Sequence, residues 1–108
     1  MKDWVVEEDD FLHVGADWER KYIVEGVTFD PIETTAMCKI RDRKDNLLVE
    51  ATCTIGDNYV LVRIGYNETL GIDKRITKGR YDVFVGFNNK AYKLCMGNID
   101  IIHDISMH

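Results

Sequence analysis

The feature that most constrains this chain is side-chain alternation with a period of two. The stretch "GRYDVFVGFNNKAYKLCMGNIDI", residues 79–101, shows it most clearly. Tyr81, Val83, Val85 and Phe87 fall on one side of an extended chain, and Tyr92, Leu94 and Met96 fall on one side of the next. Apolar residues two apart describe strands with one face in a core and the other in water. Asn88-Asn89 joins the two runs, so the stretch reads as a hairpin.

The same period runs through most of the chain. Phe11-Leu12-His13-Val14 begins a first strand, which Gly15 ends. Trp18 to Val24 reads as a second, with Trp18, Tyr22 and Val24 on one face. Pro31 lacks the backbone donor of a central strand, so Thr28 to Ile32 reads as a connection between sheets. Thr35 to Arg41 alternates Ala36, Cys38 and Ile40 inward against Met37, Lys39 and Arg41 outward. Beyond a polar turn, Leu47 to Ile55 puts Leu47, Val49, Ala51, Cys53 and Ile55 on one side, and Tyr59 to Tyr66 puts Val60, Val62 and Ile64 inward. Thr35 to Tyr66 is therefore expected as a three-stranded meander. Residues 67–78 lose the alternation and are expected as a loop with one helical turn. Gly97 is expected to allow a bulge or a change of sheet before a last run, Ile99 to Ile105. The fold predicted is all-β: a single antiparallel β-sandwich of about seven strands, spanning residues 11–108 behind an acidic lead-in at 1–10.

Composition limits what such a fold does. A chain of 108 residues, 45% hydrophobic and 31% charged, is one globular domain. Its net charge of −5 disfavours nucleic acid as a partner, because binding there depends on neutralising phosphates. No apolar run approaches the roughly 18 residues of a membrane helix. The acidic start MKDWVVEEDD is unlike a secretory signal, so secretion is not expected. Cys38, Cys53 and Cys95 are odd in number and lack CxxC spacing, which fits buried thiols in a reducing cytoplasm.

Reactive constellations are not expected. Glu7-Glu8-Asp9-Asp10 lacks the glycine and glutamate spacing of a calcium loop and reads as a solvated lead-in. His103, Asp104 and His108 do not share a strand face, and the one serine, Ser106, lies at the chain end. Neither a metal site nor a catalytic triad follows, and no catalytic, metal or cofactor residues are assigned. Two aromatics are candidate interface residues. Trp4 lies ahead of the first strand, and Phe84 points opposite to Val83 and Val85, toward the outer face. Cover by the 67–78 loop is the alternative for Phe84.

The order of motifs resembles that of small tail- or baseplate-associated structural proteins of bacteriophages. Gly15-Ala16-Asp17-Trp18 resembles their "GDxW" opening, and the stretch around Pro31 resembles their crossover. Ile40-Arg41-Asp42 matches a strand end, Thr69 a threonine in the long loop, Gly79-Arg80-Tyr81-Asp82-Val83 a later strand, and Gly97 the start of the last. Ala16 stands where the group has an acid, and Ala36 where it has glycine. The resemblance implies an immunoglobulin-like sandwich and a virion module made in the host cytoplasm. Such a module is non-catalytic, homo-oligomeric and docked onto other tail proteins. A different class of function is a small acidic inhibitor that binds a basic host enzyme such as a nuclease. A third is sugar binding through Trp4 and Phe84.

Overall fold

The alternating runs form nine strands and one short helix over residues 6–103, which the computed structural model describes. In chain order they are β1 (Val6–Glu7), β2 (Asp10–Val14), β3 (Trp18–Ile23), β4 (Thr35–Asp42), β5 (Leu47–Glu50), β6 (Thr52–Ile55) and β7 (Tyr59–Ile64). Helix α1 (Tyr66–Thr69), β8 (Lys78–Phe87) and β9 (Lys90–His103) complete the set. One sheet has the order β1-β9-β8-β4-β5, with β2 following β1 along the same edge of β9. The other has the order β3-β7-β6.

The two sheets share one core. Cys38, Ile40, Val83, Val85, Ile99 and Ile101 supply it from the larger sheet. Trp18, Val60, Val62 and Ile64 supply it from the smaller, with the last three fully buried as the alternation required. Each such side chain contributes roughly 1.5–3 kcal/mol when taken out of water.

The predicted hairpin is present, from β8 through Asn88-Asn89 to β9. Both asparagines have positive φ, 54° and 59°, the geometry of a two-residue turn that follows the twist of the strands. The helical turn expected within 67–78 is present as Tyr66–Thr69, and it takes in Tyr66, which the alternation had given to the preceding strand.

Five expectations are corrected. The two-sheet fold is not purely antiparallel: β1 and β2 run parallel to β9, pairing Val6 with Cys95 and Leu12 with Ile101. The acidic stretch is more than a lead-in, because Val6, Glu7 and Asp10 belong to strands. The Asp10 carboxylate takes two hydrogen bonds from Arg20, both 2.8 Å, and is only 13% exposed. The run from Leu47 to Ile55 is not one strand. It breaks at Ala51, whose N–H donates to the Cys38 carbonyl, and continues as β6 in the other sheet, so the meander is split between layers. Leu47, expected inward, is half exposed at the end of an edge strand. Lastly, the bulge lies at Leu94, not at Gly97. Val83 pairs with Cys95 and Phe84 with Lys93, so Leu94 is the extra residue. Beyond it Met96 turns outward, away from the side that holds Tyr92 and Leu94, and β9 continues in the same sheet to His103.

Gly97 has a different task. A side chain there would collide with the Glu8 carbonyl, so glycine is what lets the N-terminal strands lie against β9.

Candidate functional site

The residues singled out from the sequence divide into three groups. Gly15, Asp17, Trp18 and Thr69 form a brace at one end of the molecule. Gly15 turns the chain out of β2 with φ of 90°, and its N–H donates to Thr69 Oγ1 at 2.8 Å. Thr69 is fully buried, and its hydroxyl donates in turn to the Tyr66 carbonyl. Asp17 accepts the Tyr66 N–H at 2.8 Å, which satisfies one free donor of α1. Trp18 lies in the core, donates from Nε1 to the Phe11 carbonyl, and meets the Tyr81 ring edge-on at 6.3 Å. The Arg20 guanidinium stacks 4.9 Å from the same indole, and its hydrogen bonds to Asp10 raise its pKa further. The Gly15–Thr69 and Asp17–Tyr66 links join segments about fifty positions apart, which is a scaffold role.

Tyr81, Gly79 and Gly97 form the second group. The Tyr81 hydroxyl donates to the Glu8 carbonyl, and burial pushes its pKa far up. A side chain at Gly79 would come within 2.6 Å of the Arg41 carbonyl. Pro31 stands apart, exposed in a turn where Asp30 accepts the N–H groups of Ile32, Glu33 and Thr34. His103 lies against the Ile76 carbonyl at 2.8 Å, while Asp104, Ser106 and His108, like Trp4, lie outside the described residues.

Phe84 and Asp82 belong to the third group, on the outer face of the six-stranded sheet. A groove of about 340 Å³ crosses that face. The register orders the side chains along that face. Met37 stands opposite Phe84, Lys39 opposite Asp82, and Arg41 opposite Arg80. On the next strand Lys93 faces Phe84, Met96 faces Asp82, and Asn98 faces Arg80. Phe84 is half-buried, with the Lys93 ammonium 5.1 Å from its ring centroid, so it is covered by that side chain and is not a bare aromatic.

The Arg41–Arg80 pair is the unusual element. Like charges directly opposite on paired strands repel, because their Cβ atoms lie only about 4.5–5.5 Å apart. Arg41 is loosely held, with its Nε 3.8 Å from the Asp45 carboxylate and its Nη1 3.3 Å from the Asp45 carbonyl. The Arg80 side chain is exposed and makes no hydrogen bond or ion pair among the described residues. Lys39 and Asp82 are likewise uncommitted to any ion pair there. The sequence reading placed Lys39 and Arg41 on the outer side but missed Arg80. Alternation signalled its direction, but only the β4–β8 register sets it against Arg41.

No family model and no curated protein matches this chain. Among solved structures, it is similar to a 1.4 Å crystal structure of an uncharacterized protein from Bacillus anthracis str. Ames, with a TM-score of 0.41 and 16% identity over 94% of this chain and 85% of that one.

Proposed function

We propose that the chain is a non-catalytic docking module that acts through the outer face of its six-stranded sheet. The observation that carries this reading is the opposed Arg41–Arg80 pair near one end of the β4–β8 ladder on that face, with the Arg80 side chain unpartnered among the described residues. Fixing two guanidinium groups side by side on a rigid sheet costs free energy that a docked carboxylate recovers, since arginine forks bind carboxylates in two-point geometry. Half-buried Met96 lines the groove and exposed Met37 lies farther along the same face, and both add apolar contact.

Within this reading the module belongs to a bacteriophage virion, as a tail or baseplate component with immunoglobulin-like layers, docked onto other tail proteins and onto its own copies. The order of motifs supports the assignment. So does the use of Gly15, Asp17, Trp18 and Thr69 as a brace, because a mechanical part needs a rigid frame. The test is composition of purified virions by mass spectrometry. A constant copy number per particle is expected, and an R80E chain is expected to be depleted from particles. Absence of the wild-type chain from particles overturns the virion reading.

The inhibitor reading draws on the acidic run at positions 7–10, yet two of its carboxylates are committed within the molecule. Asp10 holds Arg20, and Asp9 accepts the Asn98 N–H at 3.2 Å.

A further inference from the structure

The docking face carries its charges in a definite lateral order. At one side stand Glu7 of β1 and Asp9, both exposed. Next come Met96 and Asn98 of β9, then Asp82 and Arg80 of β8, and then Lys39 and Arg41 of β4. Acids therefore occupy one flank, and three strands away stand the bases Lys39 and Arg41, with Glu50 of β5 opposite Lys39 and Asp45 beside Arg41 beyond them. Glu7 shares a row across the sheet with Lys39, through Met96 and Asp82. Asp9 lies level with Arg41, because it accepts the N–H of Asn98, which pairs with Arg80.

We propose that this face binds the same face of a second copy, about a two-fold axis running along the strands between β8 and β9. The proposal rests on the docking-face reading and names the partner. A two-fold axis that relates two facing surfaces lies in the plane between them, and one parallel to the strands reverses strand order while keeping rows in step. It sets β1 of one copy over β4 of the other, so Glu7 meets Lys39 and Asp9 meets Arg41, each contact occurring twice. The same operation sets Asn98 over Arg80, giving the unpartnered guanidinium an amide oxygen to hydrogen-bond, and Met96 over Asp82. Both copies are net negative, so no long-range attraction draws them together. Association depends on this local matching of flanks.

Reciprocal charge reversal tests it. One chain carries E7K with D9K, and another carries K39E with R41E; circular dichroism and melting first establish that both fold. Alone, each sets like charges against like across the two-fold and is expected to self-associate at least about tenfold more weakly than wild type in sedimentation equilibrium. Mixed in equal amounts, they restore opposite charges at every contact, and a one-to-one heterodimer is expected. Both variants remain net negative, so a heterodimer cannot be put down to overall attraction. A wild-type chain that stays monomeric to millimolar concentration, or a mixture that associates no better than its parts, overturns the proposal. If R80E is depleted from particles while the wild-type chain is monomeric, the docking face stands and the second copy is not its partner.

Discussion

Thr69 is a polar side chain with no access to water, and both capacities of its hydroxyl are used, accepting from Gly15 and donating to Tyr66. Thr69→Val keeps the shape and strands the Gly15 N–H, so a loss of about 1–3 kcal/mol is expected in urea unfolding. Thr69→Ser keeps both bonds and loses one methyl, at about 1 kcal/mol. Equal losses in the two variants would refute the hydrogen-bond account. Gly97 tests the opposite property, the absence of a side chain. Gly97→Ala is expected to push Glu8 off β9, and the Glu8 amide, which donates to the Met96 carbonyl at 2.9 Å, reports it directly. Hydrogen exchange at Glu8 should accelerate while the buried β7 amides stay protected. Unchanged exchange at Glu8 would mean that the strand pair absorbs the methyl.

Among the elements, the β8–β9 hairpin was the most legible, because alternation and a two-residue turn agreed. Its asparagines sit in left-handed backbone, which glycine adopts at less cost at the second turn position. Asn89→Gly is expected to stabilise by about 0.5 kcal/mol and raise the melting temperature by about 3 °C. A fall of similar size would show that the Asn89 side chain makes a needed contact. What stayed illegible has a common physical cause. A bulge at Leu94 reverses the inside and outside of every later residue, yet it leaves the local apolar pattern plausible in both phases. The break at Ala51 is similar: Val49 and Cys53 keep the alternation while the strand changes sheets. Parallel pairing of β1 and β2 depends on β9, about ninety residues later: alternation announced β2 as a strand but not its partner or direction, and β1, with Val6 and Glu7 both exposed, carries no apolar stripe. The docking face was half legible for the same reason. Lys39, Arg41 and Phe84 declared their outward direction through alternation, whereas the opposition of Arg41 and Arg80 is a property of register between strands.

At the scale of the molecule, the question is whether the N-terminal strands open with the rest or before it. β1 is tied to β9 by two residue pairs, and the Tyr81 and Gly97 contacts to Glu8 hold the segment that follows it. β4, by contrast, is paired along its whole length with β8 and also with β5. Two buried thiols sit in these two settings, Cys95 opposite Val6 and Cys38 in the middle of β4. Burial raises the pKa of both, and the thiolate is the reacting form, so native labelling by a disulfide reagent at pH 8 should be slow and limited by opening. In a Cys53→Ser background, which removes the half-buried thiol of β6, Cys95 is expected to label at lower urea than Cys38. Adding Gly97→Ala should advance Cys95 further and leave Cys38 where it was. Simultaneous labelling in both backgrounds would show that the parallel strands are bound into a single cooperative unit, and the edge would then open only when the whole core does.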